Sequence, residues 1–351
     1  QLDKVQRLLQ RQSQQDRDYL SAQYQLEETT HTVLNLKNRG AVDNFQAINT
    51  GYDLAYIANK LRHSCRLLSH EALYQKDYDK GLLSAVLEHL QQHPQHLSLP
   101  AIGVYYYYYQ ASTQTAGNDT YFGLFKHYLS QQQASFGPEE LKELYILATN
   151  YSIRRVHMEE GNSSYIQETF ELYEQALELG ILVQEERSSP FSYNNIAAIA
   201  LGLERYTWTW DFLHEYAPLL PPNLRQPCLQ YNLSRWHFKQ QQYRRAAKLL
   251  ANDDFDDLHL NLSAKVLLLK TYYTIGEWQL LDALLNRFST YLSRQKRLAY
   301  HKQNYTNIIR FTRRLAQINP HTQNAKARLL RDMEQPELMT ERRWLMEQLK
   351  E

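Results

Sequence analysis

Aromatic residues recur at nearly equal intervals along the middle of this chain. Tyr206 and Tyr243 are 37 residues apart, and Tyr243 and Trp278 are 35 residues apart. A period of this length indicates stacked copies of one supersecondary unit, because a single unit cannot bury its hydrophobic face alone. The spacing therefore predicts a chain built from consecutive helix pairs.

Segment 231–250 contains the most complete copy of the repeated unit. Leu233 and Ser234 form a hydrophobic-plus-small pair in the first helix. Tyr243 opens the second helix, and Ala246 is the small residue where the two helices cross. A small side chain lets two helices approach closely, and an aromatic ring fills the wedge between neighbouring units. In these features the segment resembles the tetratricopeptide repeat (TPR) family.

The resemblance covers residues 138–292 and implies an all-α fold, an α-α superhelix (TPR-like solenoid) of antiparallel helix pairs. Trp344 and Leu345 are also similar to the ends of uncharacterised bacterial TPR-like proteins. Three regions are expected: 1–118, a helical region with divergent repeats; 119–292, the TPR-like repeats; and 293–351, capping helices.

Composition supports the all-α prediction outside the repeats as well. The 351 residues include 11 glycines and 10 prolines, well below the usual proportions of about 7% and about 5%. Residues 2–38 are predicted to form one helix, or two joined at the polar stretch 10–18, and a further helix is predicted from about residue 77. The last helix is expected to begin with a Thr340 cap and to bury Trp344, Leu345 and Leu349.

Charge and hydropathy narrow the classes of partner. The net charge is only +1, so no global field attracts nucleic acid or a membrane. From Arg287 onward, however, 14 Lys/Arg oppose 6 Asp/Glu, a local excess of 8 positive charges. No run of 18 apolar residues occurs, and we expect a cytoplasmic protein without a membrane partner. The chain starts at Gln1, which suggests a fragment of a longer protein.

Catalytic and cofactor motifs are missing from the sequence. It contains no GxxxxGK[ST], GxGxxG or GxSxG pattern and no CxxC pair. His89, His93 and His96 have metal-like spacing, but Pro94 interrupts the helix that would carry them. The five consecutive tyrosines 105–109 are interpreted as buried core. We therefore predict no catalysis, no cofactor and no metal.

A groove lined by the first helices of the repeats is the candidate binding site. TPR proteins dock extended peptides on this face, and the resemblance assigns Ala198, Leu201 and Val266 to it. Cations and an asparagine on neighbouring first helices are similar to the carboxylate clamp of some TPR proteins, which holds a peptide C-terminus. The candidate groove residues are Asn194, Tyr231, Arg235, Phe238, Lys239, Lys270 and Tyr273.

The leading hypothesis is a scaffold whose concave groove binds a protein or peptide segment. One alternative is a peptide-sensing regulator that acts through a missing N-terminal effector domain. Another is nucleic-acid binding by the basic C-terminal helices, which carry Tyr291, Tyr300 and Tyr305. Nucleic acid is the less expected partner because the whole chain is nearly neutral.

Overall fold

The computed structural model describes residues 2–12, 14–37, 43–74, 76–113, 119–158, 163–184, 187–251, 255–295, 301–318, 323–335 and 339–349. Within these ranges the chain forms seventeen α-helices that pack mainly against their neighbours in sequence. The all-α prediction is confirmed at this level. The chain divides into two compact units, Gln1–Glu185 and Glu186–Glu351. The predicted division at residues 118 and 292 follows repeat similarity and stays a prediction.

The first unit contains eight helices in its described part. They are α1 (Leu2–Gln10), α2 (Arg17–Lys37), α3 (Phe45–Tyr74), α4 (Leu83–Gln92), α5 (Pro100–Thr113), α6 (Thr120–Gln131), α7 (Pro138–Met158) and α8 (Ser163–Glu178). Short 3-10 helices cover Pro94–Ser98 and Gln133–Ser135, and a two-residue strand β1 covers Val183–Gln184. Helices α2 and α3, α5 and α6, and α7 and α8 form contacting pairs, and α3 also contacts α5 and α7.

In the first unit one predicted helix boundary is confirmed and another is wrong. The segment 2–38 forms two helices, α1 and α2, that meet at the predicted polar stretch. The helix predicted from about residue 77 begins only at Leu83. The preceding residues form a loop in which Lys80 Nζ lies 2.8 Å from Glu71 Oε1 and Gly81 has a φ of 52°.

Helix α5 carries the five tyrosines, and most of its surface is covered. Tyr105, Tyr106 and Tyr108 are buried, which confirms the core interpretation for these three, whereas Tyr107 and Tyr109 are half-buried. The Tyr105 hydroxyl donates to Glu140 Oε1 at 2.8 Å. Gly103 lies on the same helix where a neighbour approaches, because a Cβ atom there would lie 2.8 Å from Tyr128 Cζ and would overlap the Leu97 carbonyl oxygen.

The second unit begins with strand β2 (Arg187–Ser188) and contains nine described helices. They are α9 (Pro190–Gly202), α10 (Tyr206–Tyr216), α11 (Pro222–Lys239), α12 (Tyr243–Leu250), α13 (Leu258–Thr274), α14 (Trp278–Arg294), α15 (His301–Gln317), α16 (Gln323–Glu334) and α17 (Arg342–Gln348), with a 3-10 helix at Ala217–Leu219. Each of α9, α11 and α13 contacts the helix that follows it, and α11 contacts both α9 and α13. Helix α17 packs on α15 and α16.

The same turn joins the two helices of each of the first three pairs in this unit. Glu204, Gln241 and Gly276 have left-handed φ angles of 58°, 60° and 71°, at the 37- and 35-residue intervals of the aromatic residues. The residue after each one donates its backbone N–H five positions back: Arg205 to Ala200 (3.0 Å), Gln242 to His237 (2.9 Å) and Glu277 to Tyr272 (3.0 Å). This is the Schellman motif that ends many helices.

The ends of the predicted capping helix are only partly as expected. Trp344, Leu345 and Leu349 are buried, which confirms that prediction. Thr340 is not the N-cap, however. Glu341 precedes the helix with a left-handed φ of 55°, and its side chain makes no capping hydrogen bond.

Single substitutions at two of these turns should change the free energy of unfolding in opposite directions. Replacing Gly276 with Gln should lower the free energy of unfolding by about 0.5–1 kcal/mol, because a side chain strains the left-handed backbone. A Cβ atom at this position would meet nothing closer than 3.9 Å, so no clash adds to that cost. Gln241→Gly should raise the same quantity by a similar amount in urea denaturation. Changes of the same sign would contradict the turn assignment.

Two glycines in neighbouring helices should respond differently to alanine. Gly103→Ala in α5 should lower the free energy of unfolding by about 1–3 kcal/mol, because the new methyl group overlaps the Leu97 carbonyl. Gly123→Ala in α6 should raise it by about 0.5–1 kcal/mol, because no atom lies within 4 Å of the new Cβ and alanine favours helix. Thermal unfolding of both variants provides the measurement, and a Gly103→Ala variant as stable as the wild type would contradict the packing of α5.

Candidate functional site

The predicted groove residues lie on three helices that touch in series. Asn194 is on α9, Lys270 and Tyr273 are on α13, and the remaining four are on the central helix α11. Because α11 contacts both α9 and α13, the structure brings all seven onto neighbouring helices. Leu201 and Val266 are buried at 1% and 6% exposure, so their assignment to the groove was wrong. Both are core residues.

An amide and guanidinium network ties α9 to α11. Asn232 Nδ2 donates to Asn194 Oδ1 at 2.6 Å. Arg235 Nη1 donates to the Asn194 carbonyl oxygen and to Asn232 Oδ1, both at 3.1 Å. The guanidinium also lies 5.5 Å from the centre of the Tyr231 ring. Asn194 and Arg235 are thus engaged within the protein and hold two helices together.

Asn232 was missing from the predicted set although it organises this network. Its side chain is completely buried and also donates to the Cys228 carbonyl oxygen at 2.9 Å. A polar residue four positions after the buried Cys228 lies on the core face of α11, and this spacing is the signal that could have identified it.

Lys270 is paired with a carboxylate from the C-terminal part of the same unit. Its Nζ atom lies 2.7 Å from Glu341 Oε2. The same ammonium lies 5.5 Å from the Phe238 ring centre and 5.7 Å from the Trp344 ring centre. The Tyr273 ring meets the Trp344 ring edge-on at 5.5 Å. Glu341 and Trp344 therefore belong to this surface, which the sequence did not predict.

Lys239 is the cation of this group without a partner among the described residues. Its side chain is exposed, but nearby protein atoms remove part of its hydration. This partial burial, followed by the charges of Lys270 and Arg235, lowers the pKa of Lys239 below its usual range, while Glu204 and Glu341 act in the opposite direction. Three cations therefore converge on one surface, formed by Arg235, Phe238, Lys239, Lys270 and Tyr273, which we call the cationic face.

The chemistry available at the cationic face is recognition of an anion. An unpaired ammonium can donate up to three hydrogen bonds, and bonds between ionised groups are stronger than neutral ones. The rings of Phe238 and Tyr273 add apolar surface on which a peptide side chain can pack. Cys228, the nearby thiol, is buried, and burial raises its pKa to about 11. It is therefore a poor nucleophile.

The basic C-terminal helices present fewer unengaged cations than their sequence indicates. Arg314 Nη2 lies 2.6 Å from Asp332 Oδ2, and Arg343 Nε lies 2.8 Å from Glu347 Oε1. The Tyr305 ring packs 6.1 Å from the Phe288 ring, and burial raises its pKa. Tyr300 lies outside the described residues.

A basic cleft lies on another side of the second unit. A cavity of about 810 Å³ is lined by Leu250, Ala251, Ala264, Lys265, Leu268, Leu284, Asn286, Arg287, Thr290, Tyr291, Arg294 and Gln295. The Lys265 ammonium lies 5.4 Å from the Tyr291 ring centre. None of the seven predicted groove residues lines this cavity.

The first unit holds a second cluster of perturbed titratable groups. Glu140 accepts the Tyr105 hydroxyl, and burial raises the pKa of the carboxyl group. Arg62 forms an ion pair with Glu143 and also donates through Nε at 3.0 Å. A cavity of about 810 Å³ is lined in part by Arg62, Glu140 and Glu143. Sequence reasoning did not identify them, because Arg62 and Glu143 are 81 positions apart.

The three histidines form a stack. The rings of His89 and His93 are 4.3 Å apart, and the ring of His96 lies 5.5 Å and 5.7 Å from them. Their planes are nearly parallel, so the in-plane nitrogen lone pairs do not converge on one point. Within the described part of the chain, no group of three or more His, Cys, Asp or Glu residues is arranged to hold a metal ion. No described helix is both long and apolar enough to cross a membrane.

Comparisons with known proteins do not extend this description. No protein-family model, no curated protein and no solved structure matches the chain. Function is therefore inferred from the residues of the cationic face.

Two substitutions on α11 should separate structural cations from available ones. Arg235→Ala should lower the free energy of unfolding by about 1–2 kcal/mol, because it removes a charged hydrogen bond that joins α11 to α9 and a second one to Asn232 within α11. Lys239→Ala should change it by less than about 0.5 kcal/mol. Urea denaturation of both variants makes the comparison. Equal losses would show that Lys239 has a structural partner after all.

Proposed function

We propose that this chain is a TPR-like helical-repeat protein whose cationic face binds an acidic segment of a protein or peptide, without catalysis. The observation that supports this most directly is the exposed ammonium of Lys239, which has no partner among the described residues and is influenced by the charges of Lys270 and Arg235. Like charges held together destabilise the folded chain, and a bound carboxylate would relieve that repulsion. Binding residues commonly carry such a cost.

The helix arrangement supports the repeat part of the proposal. Identical Schellman turns recur at the interval of the aromatic residues, and the first helices α9, α11 and α13 contact one another in series. In a TPR-like array this is the face on which extended peptides dock. We therefore assign the peptide segment to the surface of α11 and its two neighbours.

The bound group is better described as an acidic side chain than as a clamped C-terminus. A terminal carboxylate clamp would need Asn194 and Arg235 to be available, and both already form hydrogen bonds within the protein. Lys239 has no partner among the described residues and is left to hold an anion, whereas Lys270 already contacts Glu341. Phe238 lies against Lys270 and supplies apolar contact next to the charges.

Selection from a random peptide library displayed on phage tests this proposal. Peptides retained by the wild-type protein should be enriched in Asp and Glu. A selected peptide should bind Lys239→Glu roughly 10- to 100-fold more weakly, because one charge-assisted bond is lost and a repulsion is gained. Lys248→Glu on α12 makes the same charge change at an exposed position and should leave the affinity unchanged.

Equal effects of Lys239→Glu and Lys248→Glu would show that only overall charge matters and would refute the proposed face. A single-stranded oligonucleotide in the same assay tests the nucleic-acid alternative. Binding that falls steeply with salt and survives Lys239→Glu would transfer the function to the basic C-terminal helices.

A further inference from the structure

The C-terminal segment 339–349 contributes two groups to the cationic face. The carboxylate of Glu341 contacts Lys270 at 2.7 Å, and the indole of Trp344 contacts Tyr273 and lies near the same ammonium. The segment therefore presents an acidic residue and, three positions later, an aromatic residue. This is the chemistry expected of a partner that binds the face.

The backbone of Glu341 is held in an unfavourable conformation for this contact. Its φ of 55° lies in the left-handed region, which is unfavourable for a residue with a side chain. A carboxylate just before a helix would ordinarily accept from the first backbone N–H groups. Glu341 makes no such bond, and its carboxylate reaches Lys270 instead.

The remainder of the segment is anchored separately. Leu345 and Leu349 are buried, and α17 packs on α15 and α16. The seven-residue α17 is too short to be stable by itself, so its position depends on these contacts. Loss of the Glu341 contact would thus leave the apolar anchor in place. The contact of Glu341 with Lys270 can therefore be removed without releasing the segment from α15 and α16.

We propose that the cationic face selects partner segments that carry an acidic residue and a nearby aromatic residue, and that residues 339–349 are the chain's own competing copy of such a segment. This inference rests on the proposed function. Glu341 and Trp344 cover the Lys270 end of the face, whereas Lys239 stays available. A partner first engages Lys239 and then displaces Glu341 from Lys270.

A labelled synthetic peptide with the sequence of residues 339–349 is the probe, and fluorescence polarisation measures its affinity for the full chain. Glu341→Gln in the protein should bind the probe about 10-fold more tightly than wild type, because the internal competitor no longer holds Lys270. Glu347→Gln is the matched control. It removes an exposed ion pair with Arg343 on the same helix and should bind like wild type.

Two further variants separate competition from a general loosening of the C-terminal helices. The double variant Glu341→Gln with Lys270→Gln should lose the gain, because the vacated cation is itself removed. A probe peptide with Gln in place of Glu341 should bind every protein variant weakly. Thermal unfolding of each variant checks that the fold is kept.

The outcomes distinguish this inference from the proposed function. An acidic peptide from the phage selection that binds wild type and Glu341→Gln equally well would overturn internal competition and leave the proposed function standing. Equal gains in Glu341→Gln and Glu347→Gln would overturn it as well. If the phage selection yields no acidic peptide and the probe binds neither the wild type nor any variant, the proposed function is refuted, and the inference with it.

Discussion

The Schellman turn between the two helices of a pair determines how the helix pairs of the second unit pack. A left-handed residue at 204, 241 and 276 reverses the chain within a few positions, so the second helix of each pair packs on the first. The first helix of the next pair then lies against both. As a result α9, α11 and α13 are neighbours, and Asn194, Arg235 and Lys270 share one surface although they are far apart in sequence. The cationic face is a consequence of these repeated turns.

The three cations on this surface differ in their hydrogen-bond and ion-pair partners. Arg235 is fixed by oxygen atoms of Asn194 and Asn232, and Lys270 is fixed by Glu341. Lys239 has no such partner among the described residues, and its lowered pKa reflects partial burial and the two neighbouring charges. Protonated Lys239 therefore opposes folding slightly, and this opposition would disappear if an anion bound.

The two units use their aromatic residues for different purposes. In the first unit Tyr105 and Tyr108 are core residues, and the hydroxyl of Tyr105 donates to the half-buried carboxylate of Glu140. In the second unit Tyr273 and Trp344 meet edge-on next to an ammonium. The difference lies in what surrounds each ring, since the Lys270 ammonium lies 5.7 Å from the centre of the Trp344 ring.

Local sequence determined the helices, their pairing and the positions of the turns. The regular placement of Tyr206, Tyr243 and Trp278 required no knowledge of long-range contacts, because helix periodicity and turn residues act within a few positions of the chain. The resemblance to TPR repeats, and not local periodicity, predicted that Lys239 and Lys270 lie on neighbouring helices, and they lie on the contacting helices α11 and α13. Tertiary structure alone decided which cation is available. Glu341 lies 71 positions from Lys270, and Asn232 contacts Asn194 across 38 positions. Such pairings depend on how separate helices are brought together in space, and no local pattern in the sequence encodes them.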